Sequence, residues 1–250
     1  MRILRSPGGC PWDREQTLLS LRPFVIEEAY EVLEAIDRND HDGLRDELGD
    51  LVFETVFLAQ LCAEAGRFTI ADALDSVGDK LIRRHPHVFQ PDPEPVATST
   101  VVKERWEAIK AREQEITGKP ARLLGGIPTS LPGLLYADRI GRRTATVGFD
   151  WQRPGDVMKK VEEELAEVKA AVDGGRQEKI VEEIGDLLFA VANLARHVRV
   201  EPEDALRNAN RKFSERLFLL EDRFRAKGVA LRDASPEEME REWEQIKSGD

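Results

Sequence analysis

An all-α fold, built as a tandem repeat of two helical modules, is predicted by two observations: a composition rich in charge and poor in aromatic rings, and one acidic pattern that occurs twice. Charged residues make up 34% of the chain and aromatic residues 6%, where globular chains average about a quarter charged. That balance favours helices with long solvated faces over a β-sandwich. The repeat is the sharper signal. Glu27-Glu28-Ala29-Tyr30-Glu31 stands 136 positions before Glu163-Glu164-Leu165-Ala166-Glu167. The same offset carries Glu47 and Asp50 onto Glu183 and Asp186, Gly49 onto Gly185 and Phe53 onto Phe189 without a gap. Further along, Asp72-Ala73-Leu74 with Lys80 recurs as Asp204-Ala205-Leu206 with Lys212, and Trp106 with Lys110 recurs as Trp243 with Lys247.

Each half therefore reads as a few helices in the same order. The first two helices of each are separated by polar turns, Asp37 to Gly43 and Asp173 to Gln177. Pro91, Pro93 and Pro95 open a loop, because prolines at alternate positions cannot continue a helix. The Gly- and Pro-rich segment from Gly118 to Gly133 is the natural connection between halves. The expected organisation is a first module over 1–118, a linker over 119–133 and a second module over 134–250. A single helical hairpin with an apolar stripe must bury it against another, so a bundle of four-helix type completed by a homodimer is expected.

Several function classes are disfavoured. A net charge of −11 repels a phosphate backbone, so stable nucleic-acid binding is not expected. Cys10 and Cys62 stand far apart and outside any Cys-x-x-Cys spacing, which argues against a disulfide framework or a zinc site and for a reduced, cytoplasmic setting. The longest apolar stretch, Leu51 to Ala63, is broken by Glu54 and Gln60, so no membrane segment is expected. Neither a P-loop nor a dinucleotide-binding glycine turn occurs.

The acids carry the chemistry. Glu28 and Glu31 are three apart, as are Glu47 and Asp50, and residues three apart share one face of a helix. Each pair is thus a two-pronged ligand. The pairs are also symmetric about residue 39, since 31 and 47, and 28 and 50, are equidistant from it. In an antiparallel hairpin bending near Asn39, equal counts at a fixed rise bring both pairs to one level. Glu164, Glu167, Glu183 and Asp186 repeat this about residue 175. One isolated acidic motif would read as an ordinary solvated face. Two features argue otherwise: Asp50 and Asp186 head the apolar runs Leu51-Val52-Phe53 and Leu187-Leu188-Phe189, expected to be buried, and the geometry occurs twice. Carboxylates converging at a core edge repel unless a cation neutralises them. An all-oxygen ligand set selects a hard cation, Mg²⁺ by default with Mn²⁺ as a substitute, rather than zinc or copper. No histidine follows a glutamate by three positions, which sets a di-iron bundle aside.

Magnesium on carboxylates usually bridges to phosphates. Lys80, Arg83 and Arg84 in the first half, and Lys212 and Arg216 in the second, follow the acidic hairpins and are either phosphate contacts or ordinary surface charge. Trp106 with Lys110, and Trp243 with Lys247, are either a base-stacking ring with a phosphate contact or a core tryptophan beside a solvated lysine.

The order EExxE, ExxD, an Asp-Ala-Leu helix with a lysine and a closing Trp-x-x-x-Lys resembles the MazG-type nucleoside triphosphate pyrophosphohydrolases. So do Gly9-Cys10-Pro11-Trp12-Asp13, Arg84-His85-Pro86-His87-Val88-Phe89, Gly148-Phe149-Asp150-Trp151 and Asn210-Arg211-Lys212-Phe213. The resemblance implies an all-α homodimer, Mg²⁺, and cleavage of nucleoside triphosphates to monophosphate and pyrophosphate. It implies Glu164, Glu167, Glu183 and Asp186 as metal ligands with Glu163 as an accessory acid, and Glu28, Glu31, Glu47 and Asp50 as the first-half set. Asn210, Lys212, Arg216, Trp243 and Lys247 are the candidate substrate contacts, with Lys80, Arg84, Trp106 and Lys110 in the first half. Leu18 stands where many relatives carry a histidine, and Glu215 and Phe218 where basic residues are common.

Overall fold

The computed structural model describes residues 1–89, 98, 101, 102, 105, 106, 109 and 122–249. Lys110 and the loop at Pro91, Pro93 and Pro95 lie outside them. All regular structure among the described residues is helical. The chain divides into two compact units, Met1–Lys119 and Pro120–Asp250. The first holds α1 (Pro11–Glu15), α2 (Arg22–Asp37), α3 (His41–Glu64), α4 (Ile70–Arg84) and α5 (Pro86–Phe89). The second holds α6 (Gly133–Ala145), α7 (Pro154–Gly174), α8 (Gln177–His197), α9 (Pro202–Ala226), a 3₁₀ turn (Leu231–Asp233) and α10 (Pro236–Ser248).

Local chemistry starts and stops these helices. Pro11, Pro154, Pro202 and Pro236 open α1, α7, α9 and α10, where a missing N–H costs nothing and φ is already helical. Thr69 with Asp72, and Ser235 with Glu238, form reciprocal capping boxes at the heads of α4 and α10. Asp40 caps α3 by accepting from the Gly43 N–H at 3.0 Å. The two hairpin bends fall at the centres of symmetry that the acids define. Asn39 has φ 54° and Gly175 φ 67°, both left-handed, and at each the chain leaves one helix to start the next.

In the first unit α2 packs along α3; in the second α7 packs along α8, with α6 laid on α8. Gly141 permits that approach, because a side chain there would collide with Asn193 and Arg196. The core of the first unit is small, with Leu21, Ala35, Phe57, Ala59 and Cys62 buried; that of the second holds Ala137, Val157, Ala171, Ala190, Ala192, Leu220 and Phe224. Beyond Asp50 and Asp186 the structure departs from expectation: Val52, Phe53, Leu188 and Phe189 are exposed. Leu188 and Phe189 line a cleft between α8, α6 and α9 rather than a closed core. The stripe Ile70, Leu74, Val77 and Leu81 on α4 is bare as well.

Candidate metal and phosphate site

The second-unit hairpin gathers its acids first. Carboxylate oxygens of Glu164 and Glu167 on α7 and Glu183 on α8 lie within 4.8 Å of one another. Glu164 and Glu183 are buried and Glu167 is exposed, so the cluster has a floor and an open side. Asp186 is exposed and stands one turn beyond Glu183, outside this closest group. Glu163 flanks Glu164 and takes part through a lysine.

That lysine is Lys160, whose Nζ lies 2.7 Å from both Glu163 and Glu164. From the other helix, Lys179 Nζ lies 2.6 Å from Glu183 and 3.1 Å from Glu182. These carboxylates hold both ammonium groups well above their ordinary range, Glu163 most for Lys160 and Glu183 most for Lys179. Neither lysine was among the sequence candidates, although each stands four residues before a cluster glutamate, the spacing of a helical ion pair. The charge of Glu183, then burial and Glu164, raises the proton affinity of Glu167. A cleft of about 410 Å³ opens beside it, lined by Glu167, Ala171, Gly174, Arg176, Lys179 and Glu183. Acidic ligands, an open face and cations at the rim are what a metal–phosphate complex requires.

In the first unit, oxygens of Glu28, Glu47 and Asp50 lie within 4.8 Å of one another. Glu31 lies outside that closest group, yet near enough to raise the proton affinity of Glu47. Burial, then Glu31 and Asp50, raises Glu28; burial, then Glu31 and Asp50, raises Glu47. The positions matching Lys160 and Lys179 are Phe24 and Gly43, so no lysine enters from those two places. Glu54, on the same face of α3 as Glu47 and Asp50, is a further buried acid that sequence reasoning met only as a break in an apolar run.

The donor sets suit a hard divalent cation. Buried Oε2 atoms of Glu164 and Glu28 have no hydrogen-bond partner, which is the deficit a cation would fill. Asn210 and Lys212 are exposed on α9 with Arg216 half-buried, and Lys80 is exposed on α4. Trp243 packs on Phe213, ring centroids 5.1 Å apart, and Lys247 pairs with Glu244 at 2.7 Å. The Arg84 guanidinium lies 5.8 Å from the Trp106 ring centroid, and His85 flanks the same ring.

Comparison with known proteins gives the same picture from a second direction. Residues 16–89 and 152–217 match the MazG nucleotide pyrophosphohydrolase domain. The chain is similar to the nucleoside triphosphate pyrophosphohydrolase/pyrophosphatase MazG of Thermotoga maritima, 44% identical over all of this chain and 94% of that protein. It is 47% identical to the nucleoside triphosphate pyrophosphohydrolase of Escherichia coli K12, over 99% of this chain and 94% of that one. Against YabN of Bacillus subtilis it is 40% identical, over 99% of this chain but 50% of that protein. With both hairpins matched in tandem and full-length likeness to such relatives, the chain belongs to the MazG nucleotide pyrophosphohydrolase family.

Proposed function

We propose that this chain hydrolyses nucleoside triphosphates to nucleoside monophosphate and pyrophosphate with Mg²⁺, and that the second unit performs the reaction. The observation that carries this reading is the cluster of Glu164, Glu167 and Glu183, two of them buried, with Lys160 and Lys179 paired to it and an open cleft alongside. Glu164, Glu167, Glu183 and Asp186 would hold magnesium, which supplies charge neutralisation on the phosphates and an acidified water. Within that frame the chain's own groups divide the work. Glu163 and Glu182 keep Lys160 and Lys179 at the rim, where their ammonium groups can pass from carboxylate to phosphate as the triphosphate arrives. Asn210, Lys212, Arg216, Trp243 and Lys247 are proposed contacts to the rest of the nucleotide, and Lys80, Arg84, Trp106 and Lys110 their first-module counterparts.

The working form is proposed as a homodimer of two-module chains, with modules at 1–118 and 134–250 joined by 119–133. Bare apolar side chains on α3, α4 and α8 support it, since a second copy would remove them from water. No described helix is long and apolar enough to cross a membrane.

The direct test is incubation of the full chain with each triphosphate and Mg²⁺, with products resolved by chromatography. Monophosphate with pyrophosphate is expected. Diphosphate with inorganic phosphate would overturn the bond assignment, and absence of turnover would favour a nucleotide sensor.

A further inference from the structure

The helix that closes the second unit is held without a core of its own. α10 packs on α9, yet none of its residues is buried. It is reached through the left-handed Gly228 and the 3₁₀ turn, a connection that sets where the helix starts and leaves its far end to be held by side chains. Two contacts do the holding. The Trp243 ring meets Phe213 with centroids 5.1 Å apart. Glu242, next to it in the chain, pairs with Arg223 at 3.3 Å and also with Lys227, and Arg223 donates a further hydrogen bond to Gln245 at 3.1 Å. The Glu242 side chain is 14% exposed. Its hydrogen bond from Lys227 first, against burial and with help from Arg223, lowers the carboxyl below its ordinary range, so it is charged at neutral pH.

Geometry gives this pairing a consequence. Adjacent residues on a helix point about 100° apart, and positions as far apart as 213 and 223 stand about 15 Å from each other along the axis. One contact would leave α10 free to pivot; two contacts with that separation fix both its roll and its tilt on α9. Glu242 and Gln245, three apart, grip α9 from one face of α10, while Trp243 and Lys247, four apart, share another. The grip therefore decides where Trp243 and Lys247 point. The repeat does not carry this bridge into the first unit: Arg105 stands where Glu242 would map, and Pro91 and Pro95 stand where Arg223 and Lys227 would. We propose that Glu242 is a positioning residue of the second-unit site, which through Arg223 and Lys227 holds α10 so that Trp243 and Lys247 face an incoming nucleoside triphosphate. Glu242 itself touches neither nucleotide nor metal. The proposal rests on reading Trp243 and Lys247 as nucleotide contacts.

The test is binding of the α,β-methylene analogues of ATP, GTP, CTP and UTP to the full chain with Mg²⁺, measured by calorimetry, beside turnover of the parent triphosphates. Glu242→Gln is expected to weaken binding of the tightest analogue roughly tenfold, as loss of a base–aromatic contact does, and to raise KM by the same factor with kcat nearly unchanged. Lys227→Met is expected to act in the same direction. In a chain already carrying Trp243→Ala and Lys247→Met, Glu242→Gln is expected to add nothing, because its effect passes through those two side chains. Helix content and Mn²⁺ binding without nucleotide are expected to match wild type in Glu242→Gln. Unchanged analogue affinity in that variant would overturn the proposal. So would a full further loss in the Trp243→Ala, Lys247→Met background, or a loss of helix content or Mn²⁺ binding that makes Glu242 a general support of the fold. A wild type that binds none of the four analogues would overturn this proposal and the hydrolase reading together. Glu242-dependent binding without turnover of any triphosphate would leave this proposal standing and sink the hydrolase reading alone.

Discussion

At the scale of single residues, the second-unit acids are held by opposed demands. Burial of Glu164 and Glu183 asks for a positive partner, and Lys160 and Lys179 supply one while remaining at the edge of an open cleft. Replacing one negative ligand with its amide weakens the cation without opening a cavity. Glu167→Gln and Asp186→Asn are therefore expected to lower kcat by about 100-fold or more with circular dichroism unchanged. Glu31→Gln and Asp50→Asn are expected to cost much less; equal losses at saturating Mg²⁺ would place the reaction in the wrong unit. Lys179→Met addresses the rim. It removes the charge that lines the cleft, so KM for the triphosphate is expected to rise roughly tenfold, more than kcat falls. An unchanged KM would remove Lys179 from phosphate binding.

At the scale of elements, the loop leading into α7 is pinned to the end of α8. Arg196 holds both oxygens of Asp150, at 2.9 and 2.5 Å, and His197 Nε2 lies 3.0 Å from the same carboxylate. Arg196 first, against the opposing effect of burial and with help from His197, lowers the Asp150 carboxyl from 3.8 to about 2. A depressed carboxyl stabilises the fold above its unfolded value. The contribution is complete above about pH 4 and disappears as pH falls through about 2. Asp150→Asn leaves the Arg196 side chain, 9% exposed, without its countercharge. We expect a loss of about 2 kcal/mol at neutral pH, read as a melting temperature lower by roughly 5 °C. The acid limb of stability between pH 4 and 2 should flatten in the same variant; an unchanged limb would show that other carboxyls govern it.

At the scale of the whole molecule, the surface of one chain leaves apolar faces in water. Light scattering at micromolar concentration is expected to return twice the chain mass of 28.2 kDa. Leu74→Glu on the bare α4 stripe is expected to shift the population towards monomer, with helix content retained. A wild-type mass of 28.2 kDa would overturn the dimer.

The repeat, the helices and the hairpin bends were legible in the sequence because each is written in local terms. Spacing of three puts two acids on one face, equal counts about residues 39 and 175 level them across a turn, and Asn39 and Gly175 are residue types that accept a left-handed bend. Family membership was legible for the same reason, since its motifs are short and ordered. Burial and pairing were not, because they depend on what lies across a helix interface. Only the tertiary structure decided that Glu164 and Glu183 form the buried floor while Asp186 stays exposed, and that Lys160 and Lys179 reach the acids. It alone left Val52, Phe53, Leu188 and Phe189 exposed where an apolar run had implied burial, because burial depends on which faces the neighbouring helices cover. Glu54 is the sharpest instance. Along the chain it is a charge interrupting an apolar run; in the fold it is a buried carboxylate near Asp50, a placement that costs free energy and that no local pattern announces.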